Sequence, residues 1–398
     1  MNTDETHSSS LDFSELSNSW RVRAVKPVDY EVRICHDVFE PGNRALIEHA
    51  APAQGRSRRF VVIDAEVDRC HGDRIRRFFE HHDIDYFLQV VRAEETVKEF
   101  ETASEIVVAL DSFGLDRRRE PIIAIGGGVL LDIVGLVANL YRRGTPVVRV
   151  PTTLIGLVDA GIGVKTGVNF NGHKNRLGTY FAPSLTLLDR SFLATVERRH
   201  IANGMAEILK MALIKDAQLF NLLEEHGPRL IDQKFQGGTD PADPAEQVIR
   251  LAIHGMLEEL QPNLWEHTLE RIVDYGHTFS PTLEMRALPA LLHGEAVCID
   301  MALTTVLGWR RGLLDTQQRD RVLGVMRALE LPRHHDLLDA DLLARALQDT
   351  VRHRDGEQRL PLPVGIGDAV FVNDVSHGEL AVAVEDLRTL AARELSRV

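Results

Sequence analysis

Ile122-Ile123-Ala124-Ile125-Gly126-Gly127-Gly128, followed at one helical turn by Asp132, is the stretch whose reading decides the fold. Four apolar residues running into glycines read as a strand entering a tight turn and then a helix. Glycines let a backbone approach a pyrophosphate, and a helix N-terminus offers free N–H groups and a favourable dipole. The standard dinucleotide fingerprint is not met, because Gly-x-Gly-x-x-Gly would need glycine where the chain has Leu131. A phosphate cradle and a plain strand–helix turn both fit. Asp132 reads either as a partner for a ribose or nicotinamide or as an ordinary residue near a helix start.

Outward from this stretch, short apolar runs at 30–35, 59–64, 85–91, 121–125, 147–150 and 185–188 alternate with amphipathic stretches such as 67–80 and 96–112. That alternation predicts parallel β-α-β units with helices on both sheet faces. After Asp189 the pattern turns helical, beginning with one helix over 203–225, and the Gly-, Pro- and Asp-rich stretch 227–245 reads as a loop. The expected organisation is a disordered polar tail (1–19), an α/β nucleotide-binding domain (20–189) and a mostly α-helical metal and substrate domain (190–398). The cleft between the two is the expected site.

Bulk properties narrow the function classes. The 398-residue chain carries a formal net charge of −13, which argues against general binding to nucleic acid or acidic membranes and leaves anion recognition to local lysines. Its 3 cysteines, Cys35, Cys70 and Cys298, are widely spaced and predict no disulfide framework. No basic-then-apolar leader or membrane-length apolar run is present, so a cytoplasmic protein is expected.

Several further residues carry chemistry. Asp64 closes a strand where an acid commonly meets an adenosine ribose, although a solvated loop aspartate reads equally well. In 164–178, Lys165, Lys174, Asn175 and Arg176 lie among glycines with little apolar material to bury them; an anion site and a surface hairpin are both open. Glu207 and Lys210 share a helix face and form an ordinary ion pair in isolation. A glutamate with two histidines, such as His277 and His293, would suit a catalytic zinc, but 17 histidines make that choice arbitrary from composition. Residue by residue, the reading stops at phosphate or dinucleotide binding with a metal left open.

Taken in order, Gly-Gly-Gly-x-x-x-Asp (126–132), Pro151-Thr152-Thr153, Lys165, Lys174-Asn175, Asn203-Gly204-Met205-Ala206-Glu207, Gly276-His277 and His293-Gly294-Glu295 resemble the sugar phosphate cyclase superfamily, of which dehydroquinate synthase is a member. The likeness runs from about 60 to 365. It implies a metal, Zn2+ or Co2+, held by Glu207, His277 and His293. It implies NAD contacted by Asp64, Glu95, Lys98, Gly126, Gly127, Gly128, Asp132, Thr152, Thr153, Lys174, Phe192 and Thr195. Lys165, Asn175 and Arg143 would bind the substrate phosphate, Arg143 from a neighbouring subunit of a homodimer. Asp159, Lys210 and Glu266 match further active-site positions.

The departures are as informative. Where dehydroquinate synthase carries a lysine and an arginine for its substrate carboxylate, this chain has Met256 and Glu270; the second histidine of Gly-His-x-x-Gly-His is Pro281, and an asparagine is replaced by Asp274. An acid in place of a carboxylate-binding arginine points to a neutral heptulose phosphate. Residues 158–175, with Leu260, Asp274 and His353, are similar to the 2-epi-5-epi-valiolone synthases. The resemblance thus implies cyclisation of sedoheptulose 7-phosphate by transient oxidation, β-elimination of phosphate, reduction, ring opening and intramolecular aldol closure. The alternatives are another cyclase (a dehydroquinate, epimeric valiolone or desmethyl-4-deoxygadusol synthase), a glycerol dehydrogenase-like oxidoreductase, or a non-catalytic binding protein.

Overall fold

The computed structural model describes residues 20–49, 57–238 and 240–395; the expected tail 1–19 lies outside them. The first half runs β1 (Glu31–Cys35), α1 (Ala45–His49), β2 (Arg58–Asp64), α2 (Ala65–His81), β3 (Asp85–Val91), α3 (Phe100–Phe113), β4 (Ile122–Gly126), α4 (Gly128–Leu140), β5 (Val147–Pro151), β6 (Lys165–Phe170), β7 (His173–Tyr180) and β8 (Leu185–Asp189). Six of these strands form one parallel sheet in the order β1-β8-β5-β4-β2-β3. Residues alternate between its faces. Phe60, Val62, Ile122 and Ala124 pack toward α3 and α4, while Val61, Ile63, Ile123 and Ile125 pack with Ile75, Phe78 and Phe79 of α2. With both faces covered, central strands are mostly apolar, and that makes them legible as near-continuous runs; buried Arg149 in β5 is an exception.

The stretch 165–180 is an antiparallel hairpin of β6 and β7. Its turn, Asn171-Gly172, has φ of +50° and +74°, the paired left-handed geometry that suits a two-residue hairpin loop. The hairpin lies outside the main sheet, so its lysines are not committed to a core.

The second half continues α5 (Arg198–Ile214), α6 (Ala217–Asp232), α7 (Pro244–Leu260), α8 (Ser280–Ala287), α9 (His293–Arg310), α10 (Thr316–Ala328), α11 (Ala340–His353), β9 (Leu360–Pro363), β10 (Ala369–Val372) and α12 (His377–Leu395). α9 is buried from Gly294 through Gly308, with α5, α8, α10 and α12 packed around it. A helix buried on all sides is the centre of its layer rather than a surface element.

Two expectations are corrected here. The single helix over 203–225 is two, because Asp216 accepts hydrogen bonds from Gln218 N (2.8 Å) and Leu219 N (3.1 Å) and restarts the chain as α6. The apolar spacing continues across the break, so periodicity alone does not reveal it. The loop expected over 227–245 shrinks to 233–243, since α6 runs through Gly227 and Pro228. A Cβ at Gly227 would come within 2.4 Å of Leu329 Cδ2, so this glycine permits close helix packing and marks no turn.

Candidate active site

A cleft of about 1180 Å³ opens at the carboxyl ends of the parallel strands, walled on the far side by α5, α7, α8 and the start of α9. Its size exceeds a usual single-ligand pocket and leaves room for a nucleotide and a sugar together.

On the sheet side, Gly127 caps α4 with φ −79° and ψ 180°, ordinary extended backbone. What the glycines supply is space: a Cβ at Gly127 would lie 3.0 Å from Thr153 Cγ2, and one at Gly128 would lie 3.1 Å from Ala160 Cβ. No acidic side chain occupies the first turn of α4, so its free N–H groups present an anion-binding end. Thr152 Oγ1 is buried in the cleft wall with no hydrogen-bond partner, an orphan that a ligand would satisfy. Asp64 is more than a solvated aspartate: Oδ1 caps α2 through Glu66 N (2.8 Å), and Oδ2 accepts from Ala93 N (3.2 Å). Buried Lys98 spans Asp132 Oδ2 (2.6 Å) and Asn175 Oδ1 (2.7 Å), joining α4 to the hairpin. Asn169 Nδ2 donates to Glu95 Oε1 at 2.9 Å. Phe192 packs edge-on against the His71 ring, whose Nε2 lies 2.8 Å from Thr195 Oγ1.

Across the cleft, Glu207 of α5, His277 before α8 and His293 at the start of α9 place donor atoms within 4.8 Å of one another. Glu207 Oε1 lies 3.3 Å from His293 Nε2 and 3.7 Å from His277 Nε2. Its Oε2 is 2.7 Å from Lys210 Nζ, an ion pair that falls short of a directed hydrogen bond and leaves the carboxylate under-satisfied. Both imidazoles are tied through Nδ1, His277 to Tyr275 O (3.1 Å) and His293 to Glu284 Oε2 (2.9 Å), so both Nε2 atoms face Glu207. An oxygen and two nitrogens with an open side fit a divalent metal. Burial holds His277 down at about 4 despite the pull of Glu207. Burial also works against charge on His293, but Glu284 and Glu207 outweigh it and push it up to about 9. The cluster exists because α9 touches α5: a Cβ at Gly294 would fall 2.0 Å from Asn203 O.

A chain of alternating charge lines the remaining wall. Lys165 Nζ lies 2.5 Å from Glu266 Oε1, Glu266 also receives Tyr180 Oη at 2.9 Å, and Arg271 touches it from behind. Arg271 grips Asp274 through Nη2–Oδ1 (2.5 Å) and Nε–Oδ2 (3.0 Å), and Arg354 Nη2 adds a bond of 2.9 Å to Oδ2. Burial, aided by Arg271, lowers Lys165 to about 8 although its side chain is 58% exposed; it is open to cleft water yet hemmed in by protein. Asp159, Met256 and Leu260 face the same cleft. Burial raises Asp159 above the usual carboxylate range despite Lys210.

Four expected residues stand elsewhere. Arg143 is exposed at the turn after α4, outside its own chain's cleft. Glu270 is exposed, and the cleft wall is built instead through Arg271, one residue on. His353 ends α11 facing solvent, while the next residue, Arg354, reaches Asp274. Pro281 begins α8 without lining the cleft. Glu284, Arg271 and Arg354 are the residues that reading the sequence missed. A lone acid in the stretch from Leu283 to Leu292, apolar apart from it and Arg286, was the available signal for Glu284.

A dinucleotide-type cradle facing a Glu–His–His cluster across one cleft defines an enzyme built to act on a substrate beside both a nucleotide and a metal. The 3-dehydroquinate synthase N-terminal family model matches residues 88–203 and the C-terminal model residues 204–351, and the chain belongs to this family, within the sugar phosphate cyclase superfamily. It is 66% identical over 378 residues to a 2-epi-5-epi-valiolone synthase of Streptomyces albus, covering 95% of this chain and 92% of the relative. A demethyl-4-deoxygadusol synthase of Trichormus variabilis is 38% identical over 95% of this chain and 92% of its own. Among solved structures, the 2-epi-5-epi-valiolone synthase ValA of Streptomyces hygroscopicus subsp. jinggangensis, with NAD+ and Zn2+ bound, superposes with TM-score 0.89 at 55% identity, covering 93% of this chain and 99% of that one.

Proposed function

We propose that the chain is a 2-epi-5-epi-valiolone synthase that cyclises sedoheptulose 7-phosphate with release of phosphate, using NAD and a divalent metal. The observation that carries the reading is the single cleft holding cradle, metal-type cluster and Lys165, in a chain 66% identical to one synthase of that name and 38% identical to a demethyl-4-deoxygadusol synthase. Gly126–Gly128, Asp132, Thr152 and Thr153 would seat NAD, with Asp64, Glu95, Lys98, Lys174, Phe192 and Thr195 around it. Glu207, His277 and His293 would hold Zn2+ or Co2+. When bound, NAD supplies a hydride acceptor and donor within one turnover, and the metal polarises adjacent sugar hydroxyls.

The chain's own residues account for the rest. Lys165 and Asn175 orient the phosphate that leaves by β-elimination, and Arg143 of a neighbouring copy completes that site. Lys210 and Glu266 align hydroxyls and relay protons, and Asp159, raised by burial, is suited to hold one. Met256 and Leu260 offer no charge to a substrate carboxylate, and Arg271 and Arg354 are already neutralised by Asp274 and Glu266. The wall therefore suits a neutral polyol. The reading carries with it a homodimeric lyase of aminocyclitol natural-product synthesis, and its use of a nucleotide and a sugar phosphate, both intracellular metabolites, supports a cytoplasmic enzyme.

The test is incubation of metal-loaded protein and NAD with sedoheptulose 7-phosphate, with the product identified by NMR. A seven-carbon cyclitol ketone with the valiolone coupling pattern is expected. Turnover of the corresponding heptulosonate phosphate in its place would make the chain a divergent dehydroquinate synthase.

A further inference from the structure

Glu284 has no role in the account above, yet it is among the most heavily bonded acids in the cleft. Its side chain is 3% exposed, and both oxygens are committed. Lys174 Nζ lies 2.6 Å from each of them and 3.1 Å from His293 Nδ1, which itself lies 2.9 Å from Oε2. An ionised carboxylate only accepts hydrogen bonds and Lys174 is already paired with it, so the shorter contact to Glu284 favours a proton on His293 Nδ1. In the neutral ring that a metal requires, the lone pair is then on Nε2, the nitrogen that faces Glu207. His277 is fixed in the same sense by a backbone carbonyl, which is rigid. His293 depends instead on a side chain that is itself held by the hairpin, because Lys174 lies on β7. The next residue, Asn175, receives Lys98, which in turn pairs with Asp132 at the nucleotide cradle. One carboxylate therefore joins the metal-type cluster on α5 and α9 to the hairpin and, through it, to α4.

We infer that Glu284 is a positioning residue that sets the His293 tautomer and ties the β6–β7 hairpin to the metal cluster, so that metal binding and hairpin order are coupled. The inference deepens the proposed function and rests on it only for the identity of the cation. Coupling follows from reciprocity: whatever holds Glu284 in place for His293 also holds it in place for Lys174.

The experiment titrates metal-free protein with Zn2+ against a chromophoric chelator, for the wild type, Glu284→Gln and Lys174→Met, and follows amide hydrogen exchange of residues 165–180 with and without Zn2+. Glu284→Gln is expected to weaken Zn2+ binding about 10- to 100-fold. Lys174→Met, which keeps the bond between Glu284 and His293 but cuts the link to the hairpin, should weaken Zn2+ binding by a smaller factor than Glu284→Gln does, that factor being the coupling itself. Zn2+ should slow exchange in the wild-type hairpin and leave it unchanged in both variants. Glu284→Gln binding Zn2+ as tightly as wild type, or a wild-type hairpin indifferent to Zn2+, would overturn the inference. A clamp that served stability alone would lower the melting temperature of metal-free Glu284→Gln without changing the affinity of the folded protein, and that result counts against it too. No sugar phosphate enters these measurements, so a failure of the cyclase reading would show separately.

Discussion

Lys165 meets two opposing demands: it must stay charged to hold a phosphate, yet it sits where burial and Arg271 disfavour charge. Asp274 and Asp159 pull the other way, and Lys210 adds to the repulsion, with the balance at about 8. The protonated form dominates below that pH, so kcat/KM for the sugar phosphate should fall as pH rises through about 8. Lys165→Met should abolish that fall and lower kcat/KM about 10- to 100-fold through loss of a charged hydrogen bond; an unchanged pH profile in the variant would assign the titration to another group. Asp274 sets a second expectation. Removing its charge leaves Arg271 and Arg354 without their shared carboxylate. Asp274→Asn should therefore bind the heptulosonate phosphate more tightly than wild type does, at a cost in stability, as calorimetric titration would read. The sequence suggested a neutral substrate through Glu270, but the structure puts that residue in solvent. The argument survives in another form, because the arginine next to it is occupied by Glu266 and Asp274, two acids that line the cleft. Side-chain direction in the short turn at Ile272–Asp274 decides this, and no periodicity records it.

At the scale of elements, the parallel strands were legible because a strand covered on both faces is mostly apolar, with few polar positions such as Arg149 to interrupt the run. The expected strand bounds fall within a residue of those observed for all six. The joint between α5 and α6 was hidden because a cap acts through one side chain while the apolar spacing runs on. The metal cluster was not legible by spacing at all. Its members come from three separate elements, and only the contact of α9 with α5 at Gly294 brings them together; the resemblance named them first. This contact yields a prediction at its own scale. Gly294→Ala forces a Cβ against Asn203 O and should cost about 1–3 kcal/mol, read as a lowered melting temperature, with weaker metal binding as His293 shifts. Gly324→Ala in α10 is the control. Nothing lies within 4 Å of its added Cβ, so it should leave stability unchanged or raise it by about 0.5–1 kcal/mol.

For the whole molecule, Arg143 is the residue that tests assembly, since it stands outside its own cleft. If it serves a neighbouring copy, Arg143→Ala and Glu207→Gln are each inactive alone but complement on mixing. In a mixed two-fold dimer one site carries both defects and the other none. Activity regained on co-refolding would place Arg143 across the interface, and none regained would return it to structure or solvent. The same cleft also separates a cyclase from a dehydrogenase, because a cyclase returns its hydride within each turnover and a dehydrogenase does not. The most direct measurement is therefore simultaneous recording of inorganic phosphate and 340 nm absorbance while metal-loaded protein acts on sedoheptulose 7-phosphate with NAD far below the sugar concentration. The account expects many phosphates released per NAD with no standing NADH signal. NADH accumulating in step with substrate loss, without phosphate, would contradict it.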